Sequence, residues 1–337
     1  MADARARRAL TVRDVATLAG VSPMTVSRTL ASGQGVRPEL QARVLAAVEE
    51  LGYRRNENAR SLRPGQSSGL IGVAITNLAN PYYGEFAIGV EEEAAGWGRR
   101  ILLGNTGEDQ SRERQLVADF LGRRVDGIIV VPAAGTDTSH LTPRSLDGRP
   151  LVLASRLAPG VDADAVVLDD IGGAERATRV LLEEGHRRIA YLGNIASVIT
   201  GQRRYEGFTR ALATADIVPD PRLVLRGQQD VAAAVAAMTS LLDLPEPPTA
   251  VFAANNRNAI GAITAIARHP HVTEGTHVVS FDTFDLADLS PVPLTVVDHD
   301  AHELGRVAAR LLMERVAGTR TEARVETLPV RLYHIVR

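Results

Sequence analysis

From Leu70 to Phe281 the chain repeats one pattern, a short aliphatic run followed, in most cases, by a longer segment with helical periodicity. The aliphatic runs are Leu70–Ile75, Ile101–Leu103, Gly127–Val131, Leu151–Ala154, Ala165–Leu168, Ile189–Leu192, Ala250–Ala253 and Val278–Phe281. Helical patterns occupy Tyr83–Trp97, Ser111–Leu121, Ala174–Glu184, Tyr205–Ala215, Val231–Leu242, Ala259–Ala267 and Ala301–Val316. Strands apolar on both sides of the pleat need cover on both faces, and parallel neighbours need a crossover of helix length. The alternation therefore predicts parallel sheets sandwiched between helices.

The rest of the composition excludes several classes. The chain has no cysteine, so it has neither a disulfide framework nor thiol chemistry. No apolar run approaches the roughly 20 residues of a membrane span. The first residues are Arg-rich without the apolar segment of a signal peptide, which predicts a soluble, cytoplasmic chain.

The N-terminal segment reads differently. Thr11 with Asp14 resembles a capping box, and Val15 and Leu18 give an apolar helix face beside the small Ala16 and Ala19. Gly20 ends that helix, because glycine takes the left-handed turn cheaply. Ser22 and Pro23 suit the cap and first position of a second helix, Pro23 to Leu30, with Val26 and Leu30 inward. Pro38 opens a third helix with Leu40, Val44, Leu45, Val48 and Leu51 as its stripe. This is a helix-turn-helix pattern, and the start of its second helix, together with Arg28, is best placed to reach base edges. Residues 1–63 carry eleven arginines against six acidic residues, a net +5, while the whole chain is −2, so the remainder carries −7. A basic head on an acidic body suits phosphate binding confined to one end. No lysine occurs anywhere, so every non-histidine side-chain cation is an arginine.

The runs Asp14-Val15-Ala16, Ala19-Gly20-Val21-Ser22, Thr25-Val26-Ser27-Arg28, Leu51-Gly52-Tyr53 and Asn56 to Leu62 closely resemble the headpiece of the lactose-repressor (LacI) family. The resemblance extends over nearly the whole chain. It implies a helix-turn-helix headpiece over residues 1–55, a hinge helix and linker over 56–68, and an effector-binding, dimerising α/β body over 69–337. The body is expected as two doubly wound parallel-sheet subdomains of periplasmic-binding-protein type, about 69–167 with 298–327 and about 168–297 with 328–337. Crossings are expected near Val167–Asp170, Val296–Asp298 and Leu328. The family further implies that the segment around Asn56–Leu62 orders on operator DNA and that Leu62 wedges into the minor groove. An apolar wedge unstacks a base step, and so short a helix needs partners to form. The residues assigned to DNA are Thr11, Val12, Ser22, Pro23, Met24, Thr25, Ser27, Arg28, Tyr53, Asn56, Ala59 and Leu62. The expected partners are double-stranded operator DNA, a small-molecule effector and a second copy of the chain. The chain ends soon after its last strand, at Tyr333 to Arg337, with no appended heptad segment, which favours a dimer over a tail-assembled tetramer.

Ligands of parallel sheets sit at the carboxyl ends of the strands. Those ends here carry Thr76-Asn77, Gly104-Asn105-Thr106, Pro132-Ala133, Ser155-Arg156, Gly193-Asn194, Asn255-Asn256 and Asp282-Thr283. Asn, Asp and Gly also favour ordinary turns, but their recurrence across strands favours a polar ligand site. The resemblance assigns Arg156, Arg204, Asn255 and Asp282 to the effector, and Asn80 and Tyr82, beyond the first strand, and Phe252, as a stacking face, complete the expected set. Three positions depart from the family pattern. Asn256 replaces an aspartate, Ser155 replaces the aspartate of an Asp-Arg pair, and Gln228-Gln229 stands where several relatives place a stacking aromatic. These changes favour a polar sugar derivative or sugar acid over a neutral hexose, with Tyr82, Tyr83, Phe252 or Phe284 as alternative stacking faces.

Two rival readings are weaker. An enzyme is opposed by the absence of a phosphate-binding loop, a Gly-x-Ser-x-Gly elbow and a dinucleotide fingerprint. The one metal-like run, Asp298-His299-Asp300-x-His302, falls where the family has a crossover and a helix start, with Asp300 a natural cap. His269-Pro270-His271 reads as a loop. A pure solute-binding protein is opposed by the basic headpiece. No cofactor, metal or catalytic residue is expected.

Overall fold

The computed structural model describes residues 10–31, 34–53, 67–269, 275–319 and 322–335. The chain divides into two units, Met1–Ser68 and Gly69–Arg337. Among the described residues no helix is long and apolar enough to cross a membrane.

The first unit holds α1 (Val12–Ala19), α2 (Pro23–Ala31) and α3 (Pro38–Leu51). The Thr11 backbone N–H and hydroxyl both donate to the Asp14 carboxylate at 2.7 Å, fixing the start of α1. Gly20, at φ 63°, closes it. The core is Val15, Ala16, Ala19, Val26, Val44, Ala47 and Tyr53. Leu18 and Leu45, expected inside, are 45% and 54% exposed. The alanines explain this. Close helix approach draws the contact line through Ala16, Ala19 and Ala47 and turns the bulkier leucines outward.

The second unit contains two six-stranded sheets. Its elements are β1 (Leu70–Ile75), α4 (Pro81–Gly96), β2 (Arg100–Asn105), α5 (Gln110–Gly122), β3 (Gly127–Val130), β4 (Leu151–Ala154), β5 (Asp164–Leu168), α6 (Asp170–Glu183), β6 (Ile189–Gly193), α7 (Ile199–Ala213), β7 (Val224–Arg226), α8 (Val231–Leu242), β8 (Ala250–Ala253), α9 (Asn256–Ala267), β9 (His277–Phe281), β10 (Leu294–Asp298), α10 (Ala301–Val316), β11 (Val325–Leu328) and β12 (Arg331–Ile335). The first sheet runs β11-β5-β4-β3-β1-β2 and the second β12-β10-β9-β8-β6-β7. Every pairing is parallel except β10 with β12. The chain thus passes from one sheet to the other after Leu168, returns after Asp298, and crosses again after Leu328.

Successive residues of each strand face opposite helix layers. In β6 and β8, Tyr191 and Phe252 join one core cluster, while Ala190, Leu192 and Val251 join another. Helices α4 and α10 cross at Gly89 and Gly305, where an added Cβ would land on the backbone carbonyl of His302 or of Phe86. Only glycine permits that approach, and it draws α10 against the first sheet's helix layer even though the strand before α10 belongs to the second sheet.

Four strands were not expected. β7 has only three residues, and β11 and β12 are short and mix polar with apolar residues; all three are partly exposed, so their hydrophobic signal is weak. β10 is almost wholly buried, but it covers only five residues behind the Pro291–Pro293 segment.

Candidate functional site

A cavity of about 260 Å³ lies at the carboxyl ends of both sheets. The first sheet contributes Thr76, Asn105, Ser155 and Arg156, and the second contributes Asn194, Ala254, Asn255 and Asp282. Two of these positions are strained. Ser155 and Asp282, each the first residue beyond its strand, hold φ of 61° and 71°. Left-handed backbone costs a non-glycine residue free energy and clusters at functional sites.

Arg204 on α7 is the centre of the polar network. Its Nε donates to Asp170 Oδ1 at 2.9 Å, and its Nη1 donates to the Ala254 carbonyl at 2.6 Å and to Asp282 Oδ2 at 3.4 Å. Its guanidinium lies over the Phe281 ring, 3.7 Å from the centroid. Asp282 accepts a further bond from His299 Nε2 at 2.9 Å. Burial pushes Asp282 toward the neutral acid, but Arg204 and His299 outweigh it and hold its pKa below the ordinary carboxylate value. Burial dominates at Asp170 and raises its pKa despite Arg204.

A second arginine braces the opposite wall. Arg156 donates to both Glu108 oxygens, at 2.8 and 2.7 Å, and to the Pro132 carbonyl at 2.8 Å. Tyr82 meets the Ser155 hydroxyl at 2.8 Å, and Thr76 donates to the Tyr83 hydroxyl at 2.7 Å. Burial raises the pKa of both phenols, so both stay neutral donors or acceptors. Asn255 caps α9 by accepting from the Asn258 N–H at 2.9 Å, and its residue still lines the cavity.

Asn80, Tyr82, Arg156, Arg204, Asn255 and Asp282 therefore converge on one cavity. Phe252 does not, and its assignment is corrected. It is fully buried in the sheet core, with its ring stacked on Tyr191 at 5.6 Å. The strand's alternation aims it into a helix layer, and the chain first reaches the cavity at Ala254. Phe284 lines an adjoining cavity of about 580 Å³, shared with Asn80, Tyr82, Arg257, Asp282 and His299.

In the first unit, Ser22, Pro23, Met24 and Arg28 are exposed at the turn and along α2. Ser22 Oγ accepts from the Thr25 N–H at 3.1 Å and meets Thr25 Oγ1 at 2.9 Å, so both hydroxyls shape the helix start. Thr11 is held by Asp14, Val12 packs against the core, and Ser27 is half-buried. Tyr53, assigned to DNA, is 8% exposed and belongs to the core, which corrects that assignment: its ring is needed to fill the space beside Val44 and Ala47. Asn56, Ala59 and Leu62 lie outside the described residues.

Residues 68–335 match the family of periplasmic binding proteins and the sugar-binding domain of the LacI family, and residues 11–56 match the LacI family of bacterial regulatory proteins. The chain belongs to the LacI family. It is 31% identical over 312 residues to the transcriptional repressor CytR of Escherichia coli, covering 92% of this chain and 91% of the relative. It is 34% identical over 316 residues to the transcriptional regulator GalS of Salmonella typhimurium, covering 92% and 91%. Its structure matches a Lac repressor dimer bound to operator and the anti-inducer ONPF, with a TM-score of 0.85 and 25% identity over 97% of this chain and 99% of that one.

In this LacI-family chain the cavity's charged side chains are held by residues that the sequence pattern did not assign to the effector site. Asp170 and Glu108 position the two arginines, and His299 positions Asp282. Asp170 follows a strand end, the signal that exposed the other residues, but falls at a crossing between sheets. Glu108 stands in a loop with no periodic signal. The Asp298 to His302 run divides between partners: His299 turns to Asp282, His302 to Glu92 at 2.8 Å, and Asp300 caps α10 by accepting from the Glu303 N–H. His269 bonds the Ala265 carbonyl, and His271 lies outside the described residues.

Proposed function

We propose that this chain is a transcriptional repressor that binds a near-palindromic operator as a homodimer and changes operator affinity when a small polar effector occupies the cleft. It acts on DNA in the cytoplasm. The observation that carries the effector reading is the preset Arg204, held by Asp170, Asp282 and the Ala254 carbonyl inside a cavity lined from both sheets. Such a lining of amides, hydroxyls and fixed charges suits a hydroxyl-rich ligand such as a sugar or sugar derivative. The Lac repressor dimer bound to operator supports the same assembly for this chain.

One residue narrows the chemistry. Arg156 and Arg204 each have carboxylate partners, whereas Arg257, which lines both cavities, has none within ion-pair distance among the described residues, and its buried Nε has no hydrogen-bond partner. A guanidinium left without a counter-charge in a cleft favours a ligand with an acidic group. A sugar acid or phosphorylated sugar fits this better than a neutral hexose.

Effector binding at the two sheet ends biases their spacing. A change there reaches DNA through residues 56–62, and the coupling is expected at about 1–3 kcal/mol. A thermal-shift screen with sugars, sugar acids and nucleobases identifies the ligand, and an operator titration with the hit tests the coupling. A ligand that raises the melting temperature yet leaves operator affinity unchanged would refute the regulatory reading. Leu62→Ala is expected to weaken operator binding and leave effector affinity in the DNA-free protein nearly intact; equal operator affinity of the two proteins contradicts the wedge.

A further inference from the structure

At the amino-terminal end of the second sheet, away from the cleft, three ligand-type side chains meet. Glu184 and His186 stand in the turn between α6 and β6, and His277 is the first residue of β9. Their donor atoms all lie within 4.8 Å of one another. Glu184 Oε2 is 2.5 Å from His277 Nδ1 and 3.8 Å from His186 Nε2.

We infer that Glu184, His186 and His277 form a binding site for a divalent transition-metal ion, with zinc the ion best suited to the donor set. Two imidazole nitrogens and one carboxylate are ligands zinc accepts, at about 2.0–2.2 Å in tetrahedral array. Donors arranged so stand about 3.3 Å apart by that geometry. The observed 2.5 and 3.8 Å bracket this value, and the two ring nitrogens lie within 4.8 Å of each other, so small adjustments of the three side chains complete the set.

The outer partners of the two histidines carry the argument furthest. A metal-binding histidine commonly donates its second ring N–H to a fixed acceptor, which sets the tautomer and aims the lone pair. Each ring has a threonine hydroxyl at its second nitrogen that can take this part once an ion replaces the proton between His277 and Glu184. His186 Nδ1 lies 3.0 Å from Thr249 Oγ1, leaving Nε2 toward Glu184. His277 Nε2 lies 2.8 Å from Thr295 Oγ1, so in the tautomer that donates there Nδ1 offers its lone pair on the side of Glu184. Thr295 in turn meets His334 Nδ1 at 2.9 Å, so the hydroxyl can accept from His277 and donate onward. The Glu184 side chain is 45% exposed, so an ion can enter from solvent and keep a water as its fourth ligand. The ion would tie the end of α6 to a strand 93 residues away from Glu184 and so stabilise this half of the body.

Calorimetric titration of the untagged full-length chain with zinc, with magnesium as control, tests the site. One zinc equivalent is expected to bind and raise the melting temperature, and magnesium is expected to do neither. The chain has eight histidines, so variants must locate the ion. His186→Ala and Glu184→Gln, both near the surface, should lower zinc affinity at least about tenfold, and Thr249→Val should lower it about tenfold by freeing the His186 ring. Circular dichroism confirms that each variant is folded. Cobalt should give the intense visible absorption of a four-coordinate site in the native chain and lose it in His186→Ala. Absence of zinc binding by the native chain, or unchanged affinity in both His186→Ala and Glu184→Gln, overturns the assignment.

Discussion

Asn80 and Asn256 hold each other through two reciprocal amide bonds, Asn80 Nδ2 to Asn256 Oδ1 at 3.2 Å and Asn256 Nδ2 to Asn80 Oδ1 at 3.0 Å. Asn80 caps α4, behind the first sheet, and Asn256 begins α9, behind the second. The pair therefore joins the two halves of the body beside the cavity. Asn256 also donates to the Thr283 carbonyl at 3.3 Å. An aspartate at this position has no amide hydrogens and would lose both donated bonds, so the asparagine that departs from the family pattern has a specific structural role.

Replacing Asn256 with alanine leaves the buried Asn80 amide hydrogens without an acceptor, at a cost of about 1–3 kcal/mol. Asn256→Ala should lower the melting temperature and weaken effector binding, because the two halves lose this bridge beside the cavity. Calorimetric titration with the effector checks this, and unchanged affinity would show that the pair does not support the effector site.

Removing the Arg204 side chain leaves the buried Asp170 without its ion-pair partner and Asp282 with His299. Breaking a buried ion pair by deleting one member typically costs about 3–5 kcal/mol. Arg204→Ala should therefore lose both stability and effector response. The double variant Arg204→Met with Asp170→Asn removes the stranded charge, and it should regain much of the stability without regaining effector binding. Denaturant unfolding separates the two effects. A double variant that binds the effector normally would show that Arg204 serves only as scaffold.

How much of this was legible beforehand follows from the kind of signal each residue carries. Central strands announce themselves by aliphatic runs, so β1, β4 and β8 fall where the sequence places them. Asp282 and Arg204 are visible because strand ends and the family pattern mark them. Phe252 misled because an aromatic beside a strand end resembles a stacking face, and only the pleat decides which way it points. Leu18 and Leu45 misled for a related reason: helix packing through alanines sets the contact line, and one-dimensional periodicity does not resolve which neighbour it favours. Glu108 and His299 act through partners 48 and 17 residues away, a relationship that exists only after folding.

Alkaline titration gives a test that needs no ligand. Burial raises the pKa of Tyr82, Tyr83 and Tyr191, so folding favours their protonated form. Their contribution to stability is full below the unfolded value of about 10 and is lost as pH rises above it. The tyrosinate absorbance of these residues should appear together with loss of tertiary structure, in one cooperative step. Tyr82→Phe should reduce the pH dependence of stability in that range. Ionisation of all six tyrosines before any unfolding would contradict the buried environments.

Arg28 separates two modes of DNA contact. It is exposed on α2, near the exposed Met24, whereas the neighbouring Val26 is fully buried. A base-edge contact from such an arginine is worth about 1–3 kcal/mol of discrimination against the wrong base pair, while a phosphate contact lowers affinity on all sequences alike. Arg28→Ala is expected to relax selectivity at one operator position per half-site, with little change in the salt slope. Fluorescence anisotropy against single-substituted duplexes at several salt concentrations checks this. A uniform loss on every duplex, with the slope falling by about 0.9 for each protomer's lost contact, would instead place Arg28 on the phosphate backbone.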